Sequence, residues 1–199
     1  MLALEGLSDS LVFGHYPQKK EGKPEPIEWL VLAKEADRIL VISKYALDCQ
    51  QYNTEYTGIT WENCSLRNWL NGTFVKKAFS EEERSRIPKV TVTADKNQNY
   101  NTNAGKDTED QVFLLSIAEA NRYFASNAER QCKPTAYAIA QGCYVDKENG
   151  SCWWWLRSRG NHSNYAAHVN YGGSVSYYGH NVTYDNDAVR PALWINPGS

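Results

Sequence analysis

The chain has 199 residues, enough for one well-buried domain with decorated loops. A formal net charge of -2 and the lack of a basic stripe exclude a general attraction to phosphate backbones or anionic lipid, so nucleic acid is not expected as a partner. No apolar run is long enough to span a bilayer, and Met1–Gly6 lacks the basic flank and apolar length of a secretion signal, so the chain reads as soluble, without direct membrane insertion.

In chain order, Leu11-Val-Phe-Gly14 reads as strand. Ile27-Glu-Trp-Leu-Val-Leu32 and Arg38-Ile-Leu-Val-Ile42, separated by the polar turn Lys34-Glu-Ala-Asp37, predict a β-hairpin. Cys64-Ser-Leu-Arg-Asn-Trp-Leu-Asn71 places Leu66, Trp69 and Leu70 at helical spacing, with Gly72 as the stop. Ser80-Glu-Glu-Glu83 is a capping box that opens a second short helix ending before Pro88. Residues 95 to 110 contain no large aliphatic side chain and predict an exposed loop; their order of acids does not match a calcium-binding EF-hand. Val112-Phe-Leu-Leu-Ser116 reads as a strand running into a second capping box, Ser116-Ile-Ala-Glu119, at the head of a helix from Ile117 to Phe124.

From Ser151 the texture changes. Cys152-Trp-Trp-Trp-Leu-Arg-Ser158 predicts a core strand, because three exposed tryptophans in a row would form an adhesive patch. Ala188-Val-Arg-Pro-Ala-Leu-Trp-Ile195 predicts a closing apolar strand. The seven tryptophans and thirteen tyrosines favour a β-rich fold with rings left over for a surface. The five cysteines, Cys49, Cys64, Cys132, Cys143 and Cys152, contain no C-x-x-C pair, and most are expected to be buried thiols.

Between these strands, residues 161 to 187 draw almost wholly on Asn, Tyr, His, Ser, Thr and Asp, with small residues between them. Lys, Glu, Gln, Arg, Leu and Met are missing from this stretch. Each of the six enriched types is encoded by AAY or by one adenine substitution from it, whereas Lys, Glu and Gln require a purine third base. The same set makes up antibody paratopes, where tyrosine supplies contact area at low entropic cost and the small polar residues supply adaptable hydrogen bonds. Val169, Val175 and Val182, six and seven residues apart, are expected to anchor the segment inward while their neighbours project outward. His162, His168 and His180 fall here at spacings that fit no standard metal motif, so neither metal nor cofactor is expected. Asp185 and Asp187 read as solvated loop acids.

Phe13-Gly-His-Tyr-Pro-Gln18, Pro26-Ile-Glu-Trp-Leu-Val31, Leu66-Arg-Asn-Trp-Leu-Asn71, Trp154-Trp-Leu-Arg-Ser158 and Val189-Arg-Pro-Ala-Leu-Trp194 resemble a bacterial and phage domain family of unknown function. That family is related to the formylglycine-generating-enzyme version of the C-type lectin fold and is similar to the variable proteins of diversity-generating retroelements. The resemblance implies an α+β fold: a single C-type-lectin-like domain over residues 1–199 with a mixed or antiparallel sheet core, two or more flanking helices and long loops. Its scaffold is 1–160, its variable segment 161–187 and its closing strand 188–195. It further implies a ligand-binding role for His162, Ser163, Tyr165, His168, Asn170, Tyr171, Ser176, Tyr177, Tyr178, His180, Tyr184, Asp185 and Asn186, with Arg157 and Arg190 structural. The expected partner is a protein or glycan on a cell surface, and the expected setting is a phage virion or a bacterial surface.

No catalytic residue is expected. The sequence has no G-x-S-x-G, H-E-x-x-H or Gly-rich phosphate loop. Cys143 and Cys152 are the only close pair that a formylglycine-type oxidase could use, and their neighbours do not match that site. The closer rival is a binding module of fixed specificity, for a glycan or a protein, whose Asn- and Tyr-rich surface has no history of diversification.

Overall fold

The structure, a computed structural model, describes residues 9–197, so the Met1–Gly6 segment considered above lies outside the described residues. β1 (Ser10–Pro17), β2 (Pro24–Lys34) and β3 (Ile39–Ser43) form an antiparallel meander that includes the expected hairpin. Along β2, Ile27, Trp29 and Val31 turn inward at alternate positions, as a pleated strand with one buried face requires. The two-residue β4 (Asp48–Cys49) follows.

The helix beginning at Cys64 does not stop at Gly72. α1 (Ser65–Trp69) passes through a single π-helical turn, Leu70–Phe74, into α2 (Val75–Ala78). Leu66, Leu70, Phe74, Val75 and Ala78 are all buried along this run, and burial on both sides of the glycine outweighs its modest helical penalty. α3 (Glu81–Ser85) opens with both reciprocal bonds of the Ser80/Glu83 capping box.

β5 (Val90–Val92) pairs with β6 (Thr108–Asp110), and β7 (Val112–Phe113) leads into α4 (Ile117–Tyr123), whose Ser116/Glu119 capping box is likewise complete. The short helices α5 (Asn127–Arg130) and α6 (Ala136–Ala140) precede β8 (Trp154–Arg159), β9 (Tyr165–Val169), β10 (Val175–Asn181), β11 (Ala188–Val189) and β12 (Ala192–Ile195).

Two five-stranded sheets result, in the orders β1-β2-β3-β12-β7 and β10-β9-β8-β11-β4, beside the β5-β6 ribbon. Pairing is antiparallel except for β11 beside β8, so the protein is α+β with mixed and antiparallel sheets. The closing segment is two strands and not one. Pro191 lacks an amide hydrogen for a ladder, and at Arg190-Pro191 the chain leaves the second sheet after β11 and enters the first as β12. Arg190 fills that corner: its guanidinium lies 5.2 Å from the Phe124 ring centroid and 5.0 Å from that of Trp154, and its Nε donates to Ser43 O.

Trp154 and Trp155, adjacent on β8, are both fully buried; Trp154 packs on Phe124 and Trp155 on Tyr52. Their indole N–H groups donate to Arg130 O and Gln50 O. The polar stretch from 95 to 110 is loop as far as Asp107, with many of its side chains exposed as expected, but it is pinned to the sheet and ends in β6. Asn97 is buried and donates to both Arg159 O and Tyr177 O, Thr102 donates to Gly160 O, and Asp110 is buried on β6 between Trp61 and Arg67. Short polar side chains here satisfy the backbone of the neighbouring sheet, which composition alone does not reveal.

Candidate functional site

β10, β9 and β8 run from one edge of the second sheet to its centre, and a cleft of about 500 Å³ opens on them. Behind the cleft, Ala166, Ala167, Val169 and Val182 are wholly buried, which fixes the backbone of the segment; Val175 is half-buried. The anchors expected at Val169 and Val182 are therefore present. On β10, Ser176, Tyr178 and His180 share the face toward the cleft because side chains alternate along a strand. A bulge interrupts the pairing of β10 with β9 between Ser176 and His180, and Gly179 lies within it at φ 79°, where an added Cβ would meet Ala166 O at 2.3 Å.

Of the residues expected to bind, Tyr165, His168, Asn170, Tyr171, Ser176, Tyr178, His180 and Tyr184 line this one cleft. His162 stands at its rim, its ring edge-on to Tyr165 at 5.3 Å and to Tyr178 at 6.2 Å. Four do not belong to it. Tyr177 points from the opposite face of β10, where its hydroxyl accepts from Asn121 and its ring packs against the core. Asp185 lines a separate cavity of about 420 Å³ with Cys49, Gln50 and Trp69. Asn186 is half-buried, with its carbonyl accepting from Tyr144 N, and Ser163 sits in the exposed turn before β9, its carbonyl accepting from Ile59 N. A list carried over from a resemblance does not say which way each side chain points, and the pleat and the turns divide them.

Two further corrections concern burial. His168 is not displayed on the surface but lies 4 % exposed at the cleft floor, in line with Trp155 and Ser176 of the flanking strands. Asp187 is not a solvated acid but fully buried, with its Oδ2 2.8 Å from His180 Nδ1. The His168 and His180 rings stack with centroids 3.7 Å apart. Burial, and then the neighbouring His180, push His168 down to about 3. Burial likewise pushes the Asp187 carboxyl up, against the hydrogen bond and charge of His180.

Residues missed in the sequence complete the cleft. Asn181 and Gly179 line it, as does Trp153, the half-exposed first tryptophan of the triplet, whose ring stacks on Tyr144 at 4.1 Å. The residues on both sides of Trp153, Cys152 and Trp154, are fully buried, so nothing in the tryptophan run itself singles it out.

All five cysteines are buried free thiols. The Cys152 thiol and then the Cys49 thiol draw Cys143 down to about 5, and its Sγ donates to Tyr144 O. Arg157 is structural: it donates to Thr93 O and Leu114 O and pairs with Glu119.

Over residues 36–197 the chain matches the family described as a domain of unknown function, DUF6273. The chain belongs to this family. The DUF6273 match contains the cleft entire, together with β3 through β12, and leaves out β1 and β2. No curated protein and no solved structure is found to match the chain.

Proposed function

We propose that this DUF6273 protein is a recognition domain of C-type-lectin-like fold, and that the β8–β10 cleft displays a surface diversified in the manner of retroelement variable proteins. One observation carries the reading: eight of the thirteen side chains to which the resemblance assigns binding converge on a single cleft whose backbone is held by buried alanines and valines. Such an arrangement lets side chains change while the strands beneath them stay put. The aromatic walls, Trp153, Tyr165, Tyr171, Tyr178 and Tyr184, suit stacking on sugar rings or insertion between protein side chains. Catalysis is not part of the reading.

One observation favours the rival, a module of fixed specificity. His168 and His180 are tied to each other and to Asp187 below the surface, and side chains so committed do not exchange freely. Sequencing the surroundings of the gene separates the two: a reverse-transcriptase gene and a near-copy of the 161–187 coding stretch differing only at adenines supports diversification, whereas their absence leaves the fixed module.

The binding role itself is tested by a quadruple variant, Tyr165→Ser, Tyr171→Ser, Tyr178→Ser and Tyr184→Ser, on a glycan array and a displayed-peptide library. Signals of the parent protein should vanish while Tm moves little, because surface substitutions each change stability by only about 0.5 kcal/mol. Tyr177→Ser, on the packed face, should lower Tm and leave the signals in place. The reading of the cleft fails if the quadruple variant keeps its binding profile.

A further inference from the structure

His168 comes from β9, His180 from β10, and Asp187 from the residue just before β11. Together they bring one ring nitrogen each and one carboxylate oxygen to within 4.8 Å of one another. These residues lie far enough apart in sequence that no short motif announces them; the sheet assembles them. Two atoms in the cluster have unused bonding capacity: His168 Nδ1 and Asp187 Oδ1 are shut off from solvent, and neither finds a hydrogen-bond partner in the protein. Among the described residues Asp187 pairs with no lysine or arginine, and its one ionic contact is His180. Buried carboxylates are normally matched by a cation, and buried polar atoms by a partner.

We propose that His168, His180 and Asp187 bind one divalent transition-metal ion, of which zinc is the representative, at the floor of the cleft. Two imidazole nitrogens and one carboxylate oxygen suit zinc, cobalt, nickel or ferrous iron and not the all-oxygen preference of calcium or magnesium. Both histidines line the cleft, so a fourth coordination position would face it, open to water or to an oxygen of an incoming ligand. Trp153, Trp155 and Tyr184 surround the His180 ring with centroids at 5.0, 6.3 and 5.4 Å, aromatic neighbours of the kind that limit solvent access and lower the dielectric at a metal. Tetrahedral coordination with bonds of about 2.0 Å sets donor separations near 3.3 Å, so the His180–Asp187 hydrogen bond at 2.8 Å has to open slightly and the stacked rings have to turn apart to admit the ion. This inference stands apart from the proposed recognition role, since its probe is the metal alone.

The full chain, stripped with a chelator and kept reduced, is titrated with cobalt(II), followed by calorimetry and visible absorption, and then challenged with zinc. One equivalent of cobalt should bind with d–d bands and no thiolate charge-transfer band, and zinc should displace it. His180→Gln and Asp187→Asn should each weaken cobalt binding by more than about 100-fold, beyond what loss of an outer-shell partner costs. Cys49→Ser with Cys143→Ser should leave the spectrum unchanged. The proposal is overturned if the parent protein binds no cobalt at millimolar concentration, if folded His180→Gln binds as tightly as the parent, or if a thiolate band assigns the ion to the cysteines. Should either variant fail to fold, the band type of the parent protein still decides between nitrogen and sulfur ligands.

Discussion

At Gly179 two constraints coincide, a left-handed φ of 79° and an Ala166 carbonyl that an added Cβ would meet at 2.3 Å. Left-handed strain alone costs about 1 to 2 kcal/mol for an alanine, and the clash is with backbone, which cannot swing aside. Gly179→Ala should therefore destabilise by more than about 2 kcal/mol in urea denaturation. Gly172→Ala is the control: its Cβ would lie 3.4 Å from the Asn170 side chain at a φ that alanine accepts, and its cost should be small. Equal costs would show that the bulge carries no special constraint. The same residue-scale geometry explains what was hidden at His168 and Asp187. Both are polar residues in a polar segment, and only the strands around them show that they are buried.

Among the elements, the 65–78 helical run offers a sharper test. Gly72 sits inside it, and nothing lies within 4 Å of where its Cβ would be. Gly72→Ala should stabilise by about 0.5 to 1 kcal/mol, because alanine loses less backbone freedom in a helix and meets nothing here. A destabilisation would mean that the π turn itself requires glycine. The two capping boxes were legible because their partners are three residues apart and the bonds are local. The front hairpin was legible because alternation and a polar turn are local as well. By contrast, the 95–110 stretch reads correctly as loop over most of its length but its anchoring was hidden, because its hydrogen bonds reach Arg159, Gly160 and Tyr177, far along the chain.

Over the whole molecule, the last two strands tie the two large sheets together, and Arg190 stands at their junction, 1 % exposed. Arg190→Met keeps most of the bulk but leaves Ser43 O and Arg130 O without this donor and removes the cation from between Phe124 and Trp154. A loss of about 3 kcal/mol is expected by thermal or urea unfolding, in the range for hydrogen bonds to a charged group. Because β11 and β12 join the sheets, the variant and its parent should each unfold in one transition seen alike by fluorescence and circular dichroism. Two separated transitions would show that the sheets fold apart.

The sequence by itself determined the front hairpin, the two capped helix starts and the composition of the cleft, since alternation, caps and residue type act over a few neighbours. It did not determine which polar side chains face the cleft, why Tyr177 and Asp185 leave it, or that His168, His180 and Asp187 meet. Those outcomes depend on the register of β8, β9 and β10 and on the bulge at Gly179, which place residues from separate strands within ångströms of one another. Register is a property of paired strands and not of any one of them, and so only the tertiary structure decided it.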